Sequence, residues 1–392
     1  MINSLGPRES KGKDMLKEYR NILVINLMHL GDLMLVTPVL RTLRANYPQA
    51  RITLLADKKL RDLVEYNPHL DECLLLDKKG EDNHPLPFLK FIMKVRAKHF
   101  DLVINLHRNE RASALAAFSG GGHIVGYAKP GFSLLFDGVM ANEHFIKHQV
   151  EAHFDVLRKF LGVEKIDDAG LEMTIPEAAL HKADRLWQET FTKEAKVVAF
   201  NIGASWLTKR WLKEYFAECA DRFIRRGYHV AFFGGPMDVE LVESCIEDME
   251  ERESNNLKVF TGKVSLGVLA GLLRRCCLFL TTDSGPMHVG VAMNVPIVTM
   301  FGSSPVTGFC PYDGKDILIK TPEACHPCRI HECPKEGAEN MACMKNIPVD
   351  TVMAYADELL EKYGGEPAYK LPLHHGDYNC RVIDLGNGIA PS

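Results

Sequence analysis

Three phosphate-binding signatures are missing from the 392 residues. There is no GxGxxG, no GxxxxGK(S/T) and no Asp-x-Asp pair, so the usual dinucleotide fingerprint, the P-loop and the common acidic metal bridge for nucleotide-sugars are absent. No apolar run approaches the ~20 residues that cross a bilayer; the longest stretches are broken by Asn26, His29 and Asp32. The first twenty residues are polar and charged, unlike a secretory signal, which implies a cytoplasmic protein. A net charge of -4 lacks the basic excess of a nucleic-acid binder, so a polyanionic partner must meet a local basic patch. Eleven cysteines, an odd number that includes the adjacent Cys276 and Cys277, do not form the disulfide framework of a small secreted chain. Reduced thiols, with at most one metal cluster, fit the pattern.

What is present reads as an α/β protein. From Asn21 to Gly126, β-type runs (NILVINL, RITLLAD, ECLLLD, DLVINLH) alternate with amphipathic stretches, including one around Phe88–Ala97. The alternation repeats from KVVAFNIG through YHVAFFGG, LKVFTG and CLFLTT to VPIVTMFG, with a charged helix expected at 238–252. Continuous apolar strands separated by helices signal parallel sheets covered on both faces. Two such series, joined by a long helical stretch at about 149–190, imply two Rossmann-like domains with a cleft between them. The expected division is 20–180, 181–348, a final helix at 349–364 and a tail at 365–392 that carries no readable signal. His374 and His375 in that tail read as exposed rather than as a metal pair.

Several strand ends carry small or charged residues. After the first strand, His29-Leu30-Gly31-Asp32 sets a carboxylate at a helix entrance, where capping alone favours it by about 0.5–2 kcal/mol. The same strand-end arrangement recurs in the second half, so the two loops can face each other. There, Gly203, Ser205, Lys209 and Arg210 follow a strand, Gly234 and Gly235 close the next, and Asp283-Ser284-Gly285-Pro286-Met287-His288 turns into a helix. Open α/β sheets bind ligands beyond the carboxyl ends of their strands, where helix N-termini offer N–H groups to phosphates. A pair of basic residues in a loop is ordinarily just solvated, and Trp211 reads as a packing anchor.

The order GDLMLVTPVLRTLRANYP, FNIGASWLTKRW and TTDSGPMHVGVAMNVPIVTMFGSS resembles the bacterial ADP-heptose:lipopolysaccharide heptosyltransferases, glycosyltransferase family 9, from about Asn21 to Leu360. The resemblance implies the GT-B fold, two Rossmann-like domains with parallel sheets facing across a cleft, the first for the acceptor and the second for the ADP-sugar. It implies Asp32 as the general base and Lys209 as a contact to the donor diphosphate. Asp283, Ser284, Gly285 and His288 fall in the donor-binding loop, with Asp283 toward the heptose hydroxyls; Gly203, Ser205 and Gly234 complete the donor set. Leu212 stands where the family often has proline, so the loop around Lys209 departs from the pattern.

An inverting transfer needs one base for the acceptor hydroxyl and positive charge for the departing diphosphate, with no cofactor required for catalysis. The implied partners are ADP-heptose and a lipid A-linked lipopolysaccharide core, with peripheral contact at the inner face of the cytoplasmic membrane and no nucleic acid. Arg108 and Arg111 follow a strand end and are candidates for the phosphates and carboxylates of that core; Lys58, Lys59 and Arg61 read as a solvated face. Cys325, Cys328, Cys333 and Cys343 begin as CxxC and have the thiol number of a structural zinc or iron site. The alternatives are a GT-B transferase with another nucleotide-sugar or a protein acceptor, and, of a different class, a non-catalytic metal-containing binding or redox module.

Overall fold

Period-two alternation in the apolar strands splits their side chains between two cores. The computed structural model describes residues 17–141, 145–167, 169–373 and 376–387, so the expectation for His374 and His375 lies outside the described residues. The first sheet comprises β1 (Asn21–Ile25), β2 (Arg51–Asp57), β3 (Glu72–Leu76), β4 (Leu102–Asn105), β5 (Ile124–Gly126) and β6 (Gly138–Val139). The second comprises β7 (Val197–Asn201), β8 (His229–Phe233), β9 (Leu257–Val259), β10 (Leu278–Thr282), β11 (Ile297–Met300), β12 (Ile317–Lys320) and β13 (Arg381–Asp384). In β1, Ile22 and Val24 join Val39, Leu40 and Leu43 of the helix Thr37–Asn46. Leu23 and Ile25 point the other way, to Phe91, Ile92 and Val95 of the helix Pro85–Arg96. In β7, Val198 and Phe200 meet Phe216 and Phe223 of the helix Lys213–Arg225, while Ala199 faces the opposite core.

Both sheets are parallel, in the orders β3-β2-β1-β4-β5-β6 and β13-β12-β11-β10-β7-β8-β9. Each order reverses once, between β1 and β4 in the first sheet and between β7 and β10 in the second. Crossovers leave on opposite faces of the sheet at such a point, and the divergence opens a crevice at the strand carboxyl ends. The loops bearing Asp32, Lys209 and Asp283 all start from these four strands.

Four strands lie outside the expected set, the first being β5, three residues at the end of the first series. β6 has two residues, β12 follows the strand expected to be last, and β13 draws its inward Ile383 from a stretch without periodic pattern. The helical stretch at 149–190 is two helices, Gln149–Leu161 and Glu177–Thr190, and the helix expected at 238–252 spans Val239–Glu247. Glu177–Thr190 packs on the helix Leu266–Leu273 of the second lobe through Ala179 and Ala183, which lie against Gly267 and Gly271.

The two lobes touch at the start of Gln149–Leu161. His148 caps that helix, accepting the Val150 N–H at Nδ1, and its Nε2 donates to the Cys310 carbonyl at 3.0 Å. Its ring stacks on Tyr312 at 4.6 Å, and the Tyr312 hydroxyl donates to Glu151 at 2.8 Å. Among the described residues no helix is long and apolar enough to cross a membrane.

Candidate active site

Beyond β1, the Asn26 side chain accepts the Met28 N–H at 3.0 Å and turns the chain into the helix Leu30–Met34. His29 is the N-cap in extended conformation, and Asp32 is the third residue of the helix. The Asp32 carboxylate accepts from the backbone at His29 and at its own residue, the return half of a capping box. Capping is therefore real, but it does not determine the charge. Burial pushes the Asp32 carboxyl up to about 6, outweighing the backbone hydrogen bonds and the Lys209 cation, while Asp283 adds to the rise.

The loops of the second lobe are tied together at the β7–β10 switch point. The Asn201 amide donates to the Gly203 carbonyl at 3.1 Å and to the Ser284 hydroxyl at 3.0 Å, and the Thr282 hydroxyl donates to Gly203 at 2.9 Å. At Gly203 an added Cβ would lie 2.1 Å from Asp238 Oδ1. That buried carboxylate also accepts the Gly235 N–H at 2.8 Å and packs against Gly234, so it welds the ends of β7 and β8. Ser205 is exposed. Ser284 caps the helix Gly285–Ala292 in extended conformation, and its side chain makes no capping hydrogen bond. In the first turn Pro286 has no N–H and the Met287 N–H donates to the Ser284 carbonyl at 3.2 Å, which leaves the Gly285 N–H and the positive end of the helix to face an anion.

Lys209 does not open a helix, as its position after a strand suggests. It ends a 3-10 turn, Leu207–Lys209, and the helix begins only at Lys213, after the non-capping Leu212. Lys209 Nζ lies 2.8 Å from Asp283 Oδ2 and 4.8 Å from the centre of the Trp206 ring. Trp206 in turn stacks on His331 at 4.2 Å. Thr208 fastens this turn from below: its N–H donates to the His331 carbonyl at 3.3 Å, and its hydroxyl lies 2.5 Å from the Ile330 carbonyl and 2.9 Å from Ser303 Oγ. Arg210 is spent on the Ala204 carbonyl at 2.9 Å.

The lobes meet where two glycines allow it. A Cβ on Gly31 would lie 2.9 Å from His288 Cδ2, and one on Gly285 would lie 2.7–2.8 Å from three Leu30 side-chain carbons. The helices Leu30–Met34 and Gly285–Ala292 therefore touch backbone to side chain, which brings Asp32 within electrostatic reach of Lys209 and Asp283. His288 is buried with an unpartnered Nδ1, and burial pushes its ring down to about 4, so it is neutral at pH 7. Asp32, Lys209, Asp283 and His288 are thus assembled from both switch points, on two lobes, around one crevice.

A profile described as glycosyltransferase family 9 (heptosyltransferase) matches residues 88–339. The chain belongs to glycosyltransferase family 9. It is 25% identical over 323 residues to lipopolysaccharide heptosyltransferase 2 of Escherichia coli strain K12, a match spanning 79% of this chain and 90% of that protein. Among solved structures it is similar to a glycosyl transferase family 9 protein from Veillonella parvula, at 34% identity and a TM-score of 0.79, covering 89% and 100% of the two chains. Escherichia coli ADP-heptose LPS heptosyltransferase II matches with a TM-score of 0.70 at 23% identity, covering 88% and 99%. The expected GT-B fold is the fold found.

Around this crevice, sequence reasoning missed several groups. An open cavity of about 440 Å³ beside His29 is lined by Lys78, His107, Asn109 and Arg111, among others. Lys78 arrives from the loop after β3; its ammonium donates to the Leu27 carbonyl at 2.8 Å and pairs with the buried Asp57 at 2.9 Å. Arg111 lines the cavity, yet its guanidinium is committed to the Lys78 carbonyl at 2.8 Å and Asn83 at 2.7 Å. Arg108 does not line it, and its Nη1 is buried without a hydrogen-bond partner among the described residues. Lys58 pairs with Asp77 at 3.3 Å on the surface, as a solvated face should.

The cysteine loop lies directly beneath Lys209, because residues 330 and 331 are the anchors of Thr208. Cys325, Cys328 and Cys333 are close enough to Cys343 to help burial push its thiol up to about 11, and Cys333 Sγ accepts the Met341 N–H at 3.4 Å. Even so, among the described residues no three His, Cys, Asp or Glu side chains converge tightly enough to hold a metal ion. As placed, the four thiols do not fit a tetrahedral site.

Proposed function

We propose that this enzyme is an inverting heptosyltransferase that moves heptose from ADP-heptose to a sugar of the lipopolysaccharide inner core. The observation that carries the reading is the convergence of Asp32 from one lobe with Lys209, Asp283 and His288 from the other. Asp32 is the general base: it takes the proton of the acceptor hydroxyl as that oxygen attacks the anomeric carbon and ADP departs from the opposite face. A carboxyl raised to about 6 is ionised at pH 7 and still a better base than an ordinary aspartate. Lys209 and the N-terminal end of the helix Gly285–Ala292 stabilise the diphosphate as negative charge collects on it. Asp283, which pairs with Lys209, exchanges that partner for heptose hydroxyls when the diphosphate takes the lysine.

In this reading residues 20–180 hold the acceptor, with Arg108 and Arg111 toward its anionic groups, and 181–348 hold the donor. No cofactor enters the reaction in this reading. The enzyme works at the inner face of the cytoplasmic membrane, where a lipid-linked acceptor is presented. Purified protein with ADP-heptose, with and without defined core truncations, tests the reading. Acceptor-dependent ADP release supports it; ADP release that ignores the acceptor, or turnover only with another nucleotide-sugar, overturns it.

A further inference from the structure

We propose that the outer face of the helix Pro85–Arg96 docks on a lipid bilayer bearing anionic headgroups and so sets the acceptor cavity against the membrane surface. The proposal rests on the lipid-linked acceptor reading. The helix uses one side for the core, burying Phe91, Ile92 and Val95. Its opposite side carries a second apolar stripe, with Leu86 73%, Leu89 55% and Met93 56% exposed. Their i, i+3, i+7 spacing aligns them along about 10 Å of one helix face. A soluble surface helix ordinarily places charge there, so the stripe needs an occupant.

The flanking charges identify that occupant. On a helical projection Arg96 lies on one side of the stripe, and Lys90 and Lys94 lie on the other. From Asn83 to Phe100 there is no aspartate or glutamate. Among the described residues Lys90, Lys94 and Arg96 form no ion pair; Lys94 only approaches the Phe91 ring, at 6.0 Å. An apolar stripe between unpaired cations is the pattern of a helix lying in the headgroup region, apolar side inward. A second copy of the chain packed here about a two-fold axis would bring Lys90 and Lys94 toward their own images, whereas anionic headgroups neutralise them.

Position supports the same occupant. The first turn of this helix abuts the acceptor cavity, because Phe88 lies under the Arg111 guanidinium at 5.6 Å and Asn83 binds the same group. The neighbouring helix Glu110–Phe118 ends in the exposed Phe118, whose ring packs edge-on against Phe132, and the turn that follows exposes Leu134 by 93%. The first lobe thus exposes further apolar side chains, Phe118 and Leu134, on elements next to this helix and in the turn beyond.

The test is flotation of the full chain with phosphatidylcholine vesicles, with and without phosphatidylglycerol. The wild-type protein is expected to float with the anionic vesicles in a salt-sensitive manner. L89E/M93E is expected to lose at least about tenfold in binding, and K90E/K94E to lose the preference for anionic lipid. Both variants change exposed positions only, so ADP binding and transfer to a deacylated, water-soluble acceptor stay at wild-type levels, while transfer to vesicle-embedded acceptor falls about tenfold. Equal flotation of L89E/M93E and wild type overturns the proposal. So does a wild-type dimer that ignores vesicles and is split by L89E/M93E, which would assign the face to a second copy. Normal flotation without heptose transfer to any acceptor leaves the surface in place and removes the heptosyltransferase reading instead.

Discussion

Replacing Asp32 by asparagine separates its hydrogen bonds at the helix start from its proposed role as base. Asparagine retains an oxygen for the His29 N–H, so the helix start survives, but it cannot take a proton at pH 7. Turnover should fall by about 10²-fold or more while ADP binding is retained. In the wild-type enzyme, a carboxyl at about 6 makes kcat/KM climb as the base ionises, from roughly one tenth to nine tenths of its plateau between pH 5 and pH 7. Because the Lys209 cation holds this carboxyl down, Lys209→Ala should move the acid limb to higher pH as well as weaken donor binding.

Stability should respond in the opposite direction to activity. The folded carboxyl lies above its ordinary 3.8, so the folded state binds more protons than the unfolded chain between about pH 4 and 6, and stability is lost as pH rises through that window. A rise from 3.8 to about 6, at 1.36 kcal/mol per unit, sets an upper bound of about 3 kcal/mol on this cost at pH 7. Asp32→Asn should recover part of it, a gain that shrinks toward zero near pH 4. Denaturant midpoints for both proteins from pH 4 to 8 measure this directly. An Asp32→Asn variant that turns over near wild-type rate, or one that is inactive but less stable at pH 7 than at pH 4 relative to wild type, refutes the reasoning.

Three other perturbations probe the surroundings. His331→Ala removes the ring that supports Trp206 and should raise the donor KM by about 2- to 12-fold with little effect on kcat, whereas His331→Phe restores it; steady-state kinetics with varied donor decide. Arg108→Ala should raise the acceptor KM by about 10- to 100-fold and leave ADP affinity unchanged, the cost of one charge-assisted contact; an unchanged acceptor KM would remove Arg108 from the site. Gly31→Ala puts a methyl 2.9 Å from His288 Cδ2 and should push the lobes apart, admitting water to Asp32 and moving the acid limb below pH 6. An unshifted limb in that variant would mean the lobe contact does not set the basicity of Asp32.

The parallel sheets were legible because β1, β4, β7 and β10 are buried on both faces and so are apolar except at their ends, where Asn21, Asn105, Asn201 and Thr281-Thr282 stand. β13 was not, because an edge strand needs only one inward side chain, Ile383, to hold its register beside β12. The same asymmetry governs the site. Asp32 and Asp283 could be picked out because each begins a helix at a strand end, a local event written in adjacent residues. Lys78, Asp238 and His331 act on groups far along the chain: the Leu27 carbonyl, the backbone at Gly203 and the Trp206 ring. Each also looks like an ordinary polar residue of a loop or helix start, so nothing local marks it.

Gly31 and Gly285 lie between these cases. Each reads locally as turn chemistry, yet both have negative φ, and the constraint on them comes from the opposite lobe. That contact accounts for the electrostatics of the crevice. Burial raises the Asp32 carboxyl, the backbone hydrogen bond at His29 and then the Lys209 cation hold that rise to about 6, and the helix Gly285–Ala292 packs on the helix that carries Asp32. The contact between the lobes therefore places the Asp32 carboxylate and the Lys209 cation within electrostatic reach of each other. In the proposed mechanism the acceptor is deprotonated only with the donor lobe in place, which protects the activated sugar from water.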